Sequence, residues 1–459
     1  MSRVGCAPVV VGLLATLLLS ASVDGQCSTH ETAKLVASNA AAADYFAVSV
    51  ALDDDTLVIG AYGDDYGVDT TDSGAAYVFA REAGVWGQQD YLVDLLGNDL
   101  DYFGYAVAVD GETVIVGAYL ADVGNALDAG AAYVFVRSGG TWTQQAKLVA
   151  SDAADDDWFG YSVAVAADTA VIGAHQADLP GKTDAGAAYV FLRSGSVWIP
   201  QTKLTALDGA ASDYLGRSVA ISRETTVIGA NGADLPGKDS AGAAYVFVRT
   251  GSVWTQQGKL VASDAAAFDN FGFTVAADLD TAVIEAIFDD HAGGSNAGSA
   301  YVFFRSGGAW SQQAKLTASD AASSDSFGRA VALSGDAAMV GANQDDHSGR
   351  SNAGSAYQFA RAGGSWTQRA KAIASDSASS DFFGSSVAID AASAVIGAAF
   401  DDHAGGNDAG SVYVVDVTCT EAIPAVSSWG VAAMTLLILI AGTVLCRRRE
   451  QLYERGLIP

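Results

Sequence analysis

One unit of 56 residues, repeated seven times, constrains this chain more than any other feature. A Phe-Gly pair recurs at Phe103-Gly104, Phe159-Gly160, Phe271-Gly272, Phe327-Gly328 and Phe383-Gly384, with Leu215-Gly216 and Phe46-Ala47 as degenerate copies. Tyr77, Tyr133, Tyr189, Tyr245, Tyr301, Tyr357 and Tyr413 keep the same spacing throughout. The first Phe-Gly interval is 57, so the added residue falls in the loop between Asp65 and Tyr77. Such a period means supersecondary units that bury their apolar faces on one another, and it overrides any domain count taken from the 459-residue length.

Each unit holds four short strand signals. In the third copy they are 161–166, 169–174, 187–193 and 197–204, each rich in β-branched or aromatic residues and bounded by Gly, Asp or Ser. Ser194-Gly195-Ser196 reads as the hairpin loop between the third and fourth. No helical periodicity competes outside the two ends. Four antiparallel strands at a period near 50 predict a blade, and seven copies predict an all-β, seven-bladed β-propeller.

The strand count also predicts how the ring closes. Trp86, Trp142, Trp198, Trp254, Trp310 and Trp366 mark a fourth strand in six copies, and the seventh copy stops at Cys419. Lys34-Leu35-Val36-Ala37-Ser38 matches the end of a fourth strand such as Lys147-Leu148-Val149-Ala150-Ser151. The N-terminal segment is therefore expected to supply the outer strand of the last blade and to cover its open edge. Cys6 lies in a leader-like segment and Cys446 in an apolar run, which leaves Cys27 and Cys419 beside the seam. A Cys27–Cys419 disulfide is expected in an oxidising compartment; closing so long a loop stabilises by about 4–5 kcal/mol in the chain-entropy picture.

The ends carry export signals. Residues 1–25 read as a signal peptide: Arg3, an apolar stretch from Val9 to Leu19, then Ser20-Ala21-Ser22, with cleavage expected near Ala21 to Gly25. Residues 421–430 read as a linker, 431–446 as one transmembrane helix, and 447–459 as a basic cytoplasmic tail opened by Arg447-Arg448-Arg449. Ile423, Pro424, Ser427, Trp429 and Gly430 resemble the IPTL-CTERM sorting signature of Gram-negative bacteria, with departures at Ala425 and Val426. The resemblance implies processing by an exosortase-like membrane protease and a place in the cell envelope or at the cell surface, anchored or released after sorting. A plain membrane anchor is the alternative.

Between the ends, Phe-Gly pairs followed by Ser-Val-Ala and then Val-Ile-Gly-Ala resemble FG-GAP repeats, the repeats of integrin α-subunit propellers and of many bacterial surface proteins. The resemblance spans about 34–418 within an exported body of 26–420. It implies the propeller fold and leaves function open, because one fold hosts many activities. One departure is plain. The connections between first and second strands, such as Asp53-Asp54-Asp55 and Asp110-Gly111-Glu112, lack the alternating oxygen ligands of the family's calcium loops.

Charge narrows the function further. Asp+Glu 53 against Lys+Arg 24 gives a net charge of −29, which excludes nucleic acid as a partner. The acids are patterned. One series precedes the Phe-Gly site by two residues: Asp44, Asp101, Asp157, Asp213, Asp269, Asp325, Asp381. A second follows the second strand: Asp65, Asp122, Asp178, Asp234, Asp290, Asp346, Asp402. Both fall on one propeller face, while Arg81, Arg137, Arg193, Arg249, Arg305 and Arg361 fall on the other. The aspartates read first as turn caps and as a solubilising coat. The second series also offers candidate ligands for Ca²⁺. His291, His347 and His403 share one repeat position and read as duplicated loop sequence. No nucleophile–base motif stands out, and near-perfect repetition argues against the asymmetric constellation catalysis needs. The expected function is a non-enzymatic binding or adhesion module for extracellular glycan or protein ligands. A glycan hydrolase or lyase acting at an acidic mouth, and a purely structural envelope component, are the alternatives.

Overall fold

The computed structural model describes residues 30–65, 71–95, 98–390 and 393–417. They form seven four-stranded antiparallel sheets, each built from consecutive strands except the last. In that sheet His30–Leu35 lies outside Ser411–Asp416, pairing antiparallel with Lys34 opposite Tyr413 and Leu35 opposite Val412. The first strands of neighbouring blades pack on each other all the way round, blade 7 on blade 1 included. The chain is thus a closed seven-bladed propeller, shut by its N-terminal strand as the strand count predicts. Cys27, Cys419, the signal peptide, Ile423, Pro424, Trp429, Gly430, Arg447, Arg448 and Arg449 lie outside the described residues. Among the described residues no helix is long and apolar enough to cross a membrane.

Blade 3 shows why these sequences take these places. Its strands are Ser162–Ala166, Thr169–Ala174, Ala187–Ser194 and Val197–Leu204, within one residue of the predicted bounds. The second strand is buried along its whole length, since neighbouring blades cover both its faces. The fourth is exposed or half-buried except at Trp198 and at its last residue, Leu204. Ser194 pairs with Val197, so the hairpin turn is Gly195-Ser196 alone. Each apolar core cluster draws on two adjacent blades. Ile115, Val134 and Leu148 of blade 2, for example, meet Phe159, Ile172 and Tyr189 of blade 3. The repeated Phe packs edge-on against the repeated Tyr of its own blade, at 5.4 Å between Phe159 and Tyr189. These residues are core, not ligand-stacking surfaces.

The glycine of Phe-Gly is demanded by the backbone. Gly104 has φ +92°, and a Cβ there would sit 2.0 Å from the carbonyl oxygen of Ala75 in the preceding blade. Fourth strands carry a bulge, where Gln201 is skipped between Pro200 and Thr202 in the ladder. The bulge turns that glutamine towards the next blade, so that Gln89, Gln145, Gln201, Gln257 and Gln313 accept the indole N–H of Trp142, Trp198, Trp254, Trp310 and Trp366.

Candidate functional site at the channel mouth

The two aspartate series are loop architecture. Asp44, Asp101, Asp157, Asp213, Asp269, Asp325 and Asp381 are buried, and each accepts the N–H of the residue three before it, as Asp157 does from Ala154 at 2.8 Å. Burial raises their pKa values, bringing Asp44 to about 7 and Asp325 to about 6. This series is therefore not part of an acidic coat. The exposed series caps its own loops: Oδ1 of Asp65 accepts from Asp72 N, Asp122 from Asp128 N, Asp178 from Asp184 N and Asp234 from Ser240 N. Asp290, Asp346 and Asp402 do the same for Asn296, Asn352 and Asp408. Among the described residues no group of three or more His, Cys, Asp or Glu side chains is placed to hold a metal. His291, His347 and His403 bond through Nε2 to the carbonyls of Gly298, Gly354 and Gly410, each within its own loop. On the opposite face the six hairpin arginines each pair with a carboxylate, as Arg193 does with Asp168 at 2.7 Å.

A third acid series escapes a reading by repeats because only some copies carry it. Asp64, Asp289, Asp345 and Asp401 are buried where blades 2 to 4 have Ala121, Ala177 and Ala233. Three of them are neutralised by a lysine that also holds an acid from the preceding blade. Lys315 reaches Asp264 at 2.7 Å and Asp289 at 2.8 Å; Lys371 and Lys34 repeat the pattern. The repeated Tyr donates to the same acids, Tyr301 to Asp289 and Tyr413 to Asp376 and Asp401. In blade 1 the lysine is Tyr91 and the outer acid is Asn39, so cation and anion are lost together.

The copies differ conspicuously where the channel opens. The residue after Phe-Gly is Val48, Tyr105, Tyr161, Arg217, Phe273, Arg329 or Ser385. Tyr105 donates to Tyr161 at 2.9 Å. Arg217 lies 4.7 Å from the Tyr161 ring and 4.3 Å from Phe273, and Arg329 lies 5.5 Å from Phe273. Outside this inner group runs an arc of rings. Phe382 meets Phe400 at 5.1 Å, Phe400 meets Tyr45 at 5.2 Å, and Tyr45 stacks on Tyr62 at 5.1 Å. Tyr62 reaches Tyr102 at 5.0 Å, Tyr102 reaches Tyr119 at 5.8 Å, and Tyr119 reaches Trp158 at 5.3 Å. His175 sits 4.1 Å from Tyr161 and 6.0 Å from Tyr214. Burial, with Arg217 nearby, lowers its pKa to about 3, so it is neutral. Farther along the first strands lies an open cavity of about 240 Å³ lined by Val107, Val163, Val219, Val275 and Leu333 among others.

The backbone beneath this arc is unusual for aromatics. Tyr45, Tyr102, Trp158, Tyr214 and Phe382 have φ between 53° and 58°, a left-handed conformation that bulky residues avoid and Asn tolerates. Asn270 and Ser326 hold the same position in blades 5 and 6. These side chains stand just before each Phe-Gly pair in the sequence, at a position that varies from copy to copy and so carries no repeat signature.

Comparison with known families returns the FG-GAP repeat seven times, at 29–79, 86–135, 142–191, 198–247, 254–303, 310–359 and 366–415. Each match runs from a fourth strand through the third strand of the next blade, and the first begins at the closing strand. No curated protein matches the chain.

Proposed function

The chain belongs to the FG-GAP repeat family, and from that premise we propose that it is a binding or adhesion module, exported and held at the cell surface, that takes extracellular glycan or protein ligands at the channel mouth without turning them over. The observation that carries this reading is the row of five aromatics at left-handed φ. Such a conformation costs of the order of 1 kcal/mol or more per bulky residue, and strain of this kind concentrates at functional sites. Tyr and Trp offer flat apolar faces with polar tips, which suits the C–H faces and hydroxyls of sugars. Export, the Cys27–Cys419 disulfide and sorting by an exosortase-like protease through the 421–459 tail belong to the same proposal.

The test is glycan-array binding by the full chain and by Tyr102→Asn and Tyr214→Asn. Asparagine suits the backbone, so both variants are expected to melt within a few degrees of the parent while binding weakens about tenfold or more. Release of shortened products from a bound polysaccharide, or binding untouched by either substitution, would overturn the reading.

A further inference from the structure

Two guanidiniums at the mouth lack a carboxylate, in a chain where acids outnumber Lys and Arg 53 to 24. Every hairpin arginine on the other face has an acidic partner. Arg217 and Arg329 lie instead 4.3 Å and 5.5 Å from one ring, Phe273, and neither forms an ion pair among the described residues. They are half-buried and come from blades 4 and 6. The charges of both act on the Tyr105 hydroxyl of blade 2. A partly desolvated guanidinium with no counter-charge is poised for an anion, because a fork of N–H donors matches a carboxylate in two bonds at once.

A second observation is independent of charge. Buried polar atoms at the same mouth have no hydrogen-bond partner: Trp158 Nε1, His175 Nδ1, Asn231 Oδ1 and Asn343 Oδ1. Native structures leave few such atoms unsatisfied, and each needs an explanation. They stand beside the aromatic arc, and a molecule carrying several hydroxyls would satisfy them. The buried acids nearest the rim each accept a loop N–H, so their oxygens are turned to their own loops.

We infer that the mouth selects an acidic glycan, a sugar bearing a carboxylate of the uronic-acid kind, with the carboxylate on Arg217 and Arg329 and the sugar rings on the aromatic arc. This rests on the binding reading above and narrows its ligand. An acidic peptide would satisfy the arginines but would leave the aromatic arc and the unpaired polar atoms without a role.

The test titrates the full chain with trigalacturonate, its methyl ester and hexaglutamate, and repeats each titration with Arg217→Gln, Arg329→Gln and the double variant. The free acid is expected to bind at least about tenfold tighter than the ester, the range of a charge-assisted hydrogen bond. The double variant should bind acid and ester alike with an unchanged melting midpoint. The acid–ester comparison on the parent chain needs no variant, so it decides even if a variant misfolds. Equal affinity for acid and ester overturns the inference and leaves the glycan reading standing. Preference for hexaglutamate overturns it in favour of an acidic protein partner. Binding of none of the three probes overturns it as well, while the glycan array separately decides the parent reading.

Discussion

At the scale of single residues, Glu285 is the copy that breaks the rule of its position. Gly60, Gly117, Gly173, Gly229, Gly341 and Gly397 stand there in the other blades, where the backbone of the next blade comes close. A Cβ on Gly117 would lie 2.0 Å from the carbonyl oxygen of Gly160. Blade 6 makes room: Gly328 opens to φ +106° against +92° to +95° at Gly104, Gly160, Gly216, Gly272 and Gly384. The Glu285 side chain is completely buried, and neither carboxyl oxygen has a hydrogen-bond partner. The nearby Thr274 hydroxyl donates to the Gly328 carbonyl at 3.2 Å. Burial therefore pushes the carboxyl well above its usual range. A raised folded pKa gives stability that is full below the unfolded value, about 4.3, and is lost as pH rises towards the folded value, at about 1.4 kcal/mol per pH unit. Glu285→Gly should raise the melting midpoint little at pH 4.5 and substantially at pH 8, and Glu285→Gln should flatten the same slope. Parallel pH profiles for parent and variants would show that Glu285 ionises without strain.

Loops and strands carry the repeated polar residues as fasteners. The Asp290 carboxylate holds Asn296 N at 2.7 Å, so Asp290→Ala should cost about 1 kcal/mol, the usual worth of such a cap. With that oxygen engaged in all seven loops, adding or chelating Ca²⁺ should leave the melting midpoint where it is. A rise of several degrees with Ca²⁺, abolished in Asp290→Ala, would make these carboxylates ion ligands instead. The bulge supplies a sharper comparison. Gln145→Ala removes the acceptor of the Trp198 indole, 2.9 Å away, and should cost about 1 kcal/mol. Arg369 takes the glutamine's place in blade 6, and the blade after it is closed by His30–Leu35, which has no tryptophan. Arg369→Ala should therefore fall within about 0.5 kcal/mol of the parent. Equal costs at the two positions would deny the bulge its fastening role. Elements of this kind were legible from spacing alone, because strands, hairpin glycines and core Phe and Tyr obey a period that packing enforces in every copy. The lysine-bridged acids and the mouth were not, because they depend on which side chains meet across a seam some 50 residues apart, and because the mouth is built from departures such as Arg217, Phe273 and Arg329.

For the whole molecule, the decisive element is the six-residue strand at the start of the described chain. Repeat arrays gain stability from each interface between neighbours, so an open array ends on two unfinished faces. Here the closing strand completes blade 7 and helps to seal the core shared by blades 7 and 1, where Leu35 packs with Phe46, Tyr77 and Val412. Its Lys34 also binds Asp376 of blade 6 at 2.7 Å and Asp401 of blade 7 at 2.8 Å, so one short segment engages three blades. If closure is as cooperative as any interior seam, Leu35→Ala should cost what Leu148→Ala costs in blade 2, roughly 2–5 kcal/mol for each. A much smaller cost for Leu35→Ala would mean that the strand merely covers an edge. The proposed Cys27–Cys419 bond can be tested in the same experiment. His30 pairs with Asp416, three residues inside each cysteine, so a bond between them would restrain the strand even when its core contact is weakened. Reduction of the full chain should add two hydrogens in the mass spectrum, and Leu35→Ala should destabilise the reduced chain more than the oxidised one. An unchanged mass, with the same cost in both states, would leave the ring closed by strand pairing and packing alone.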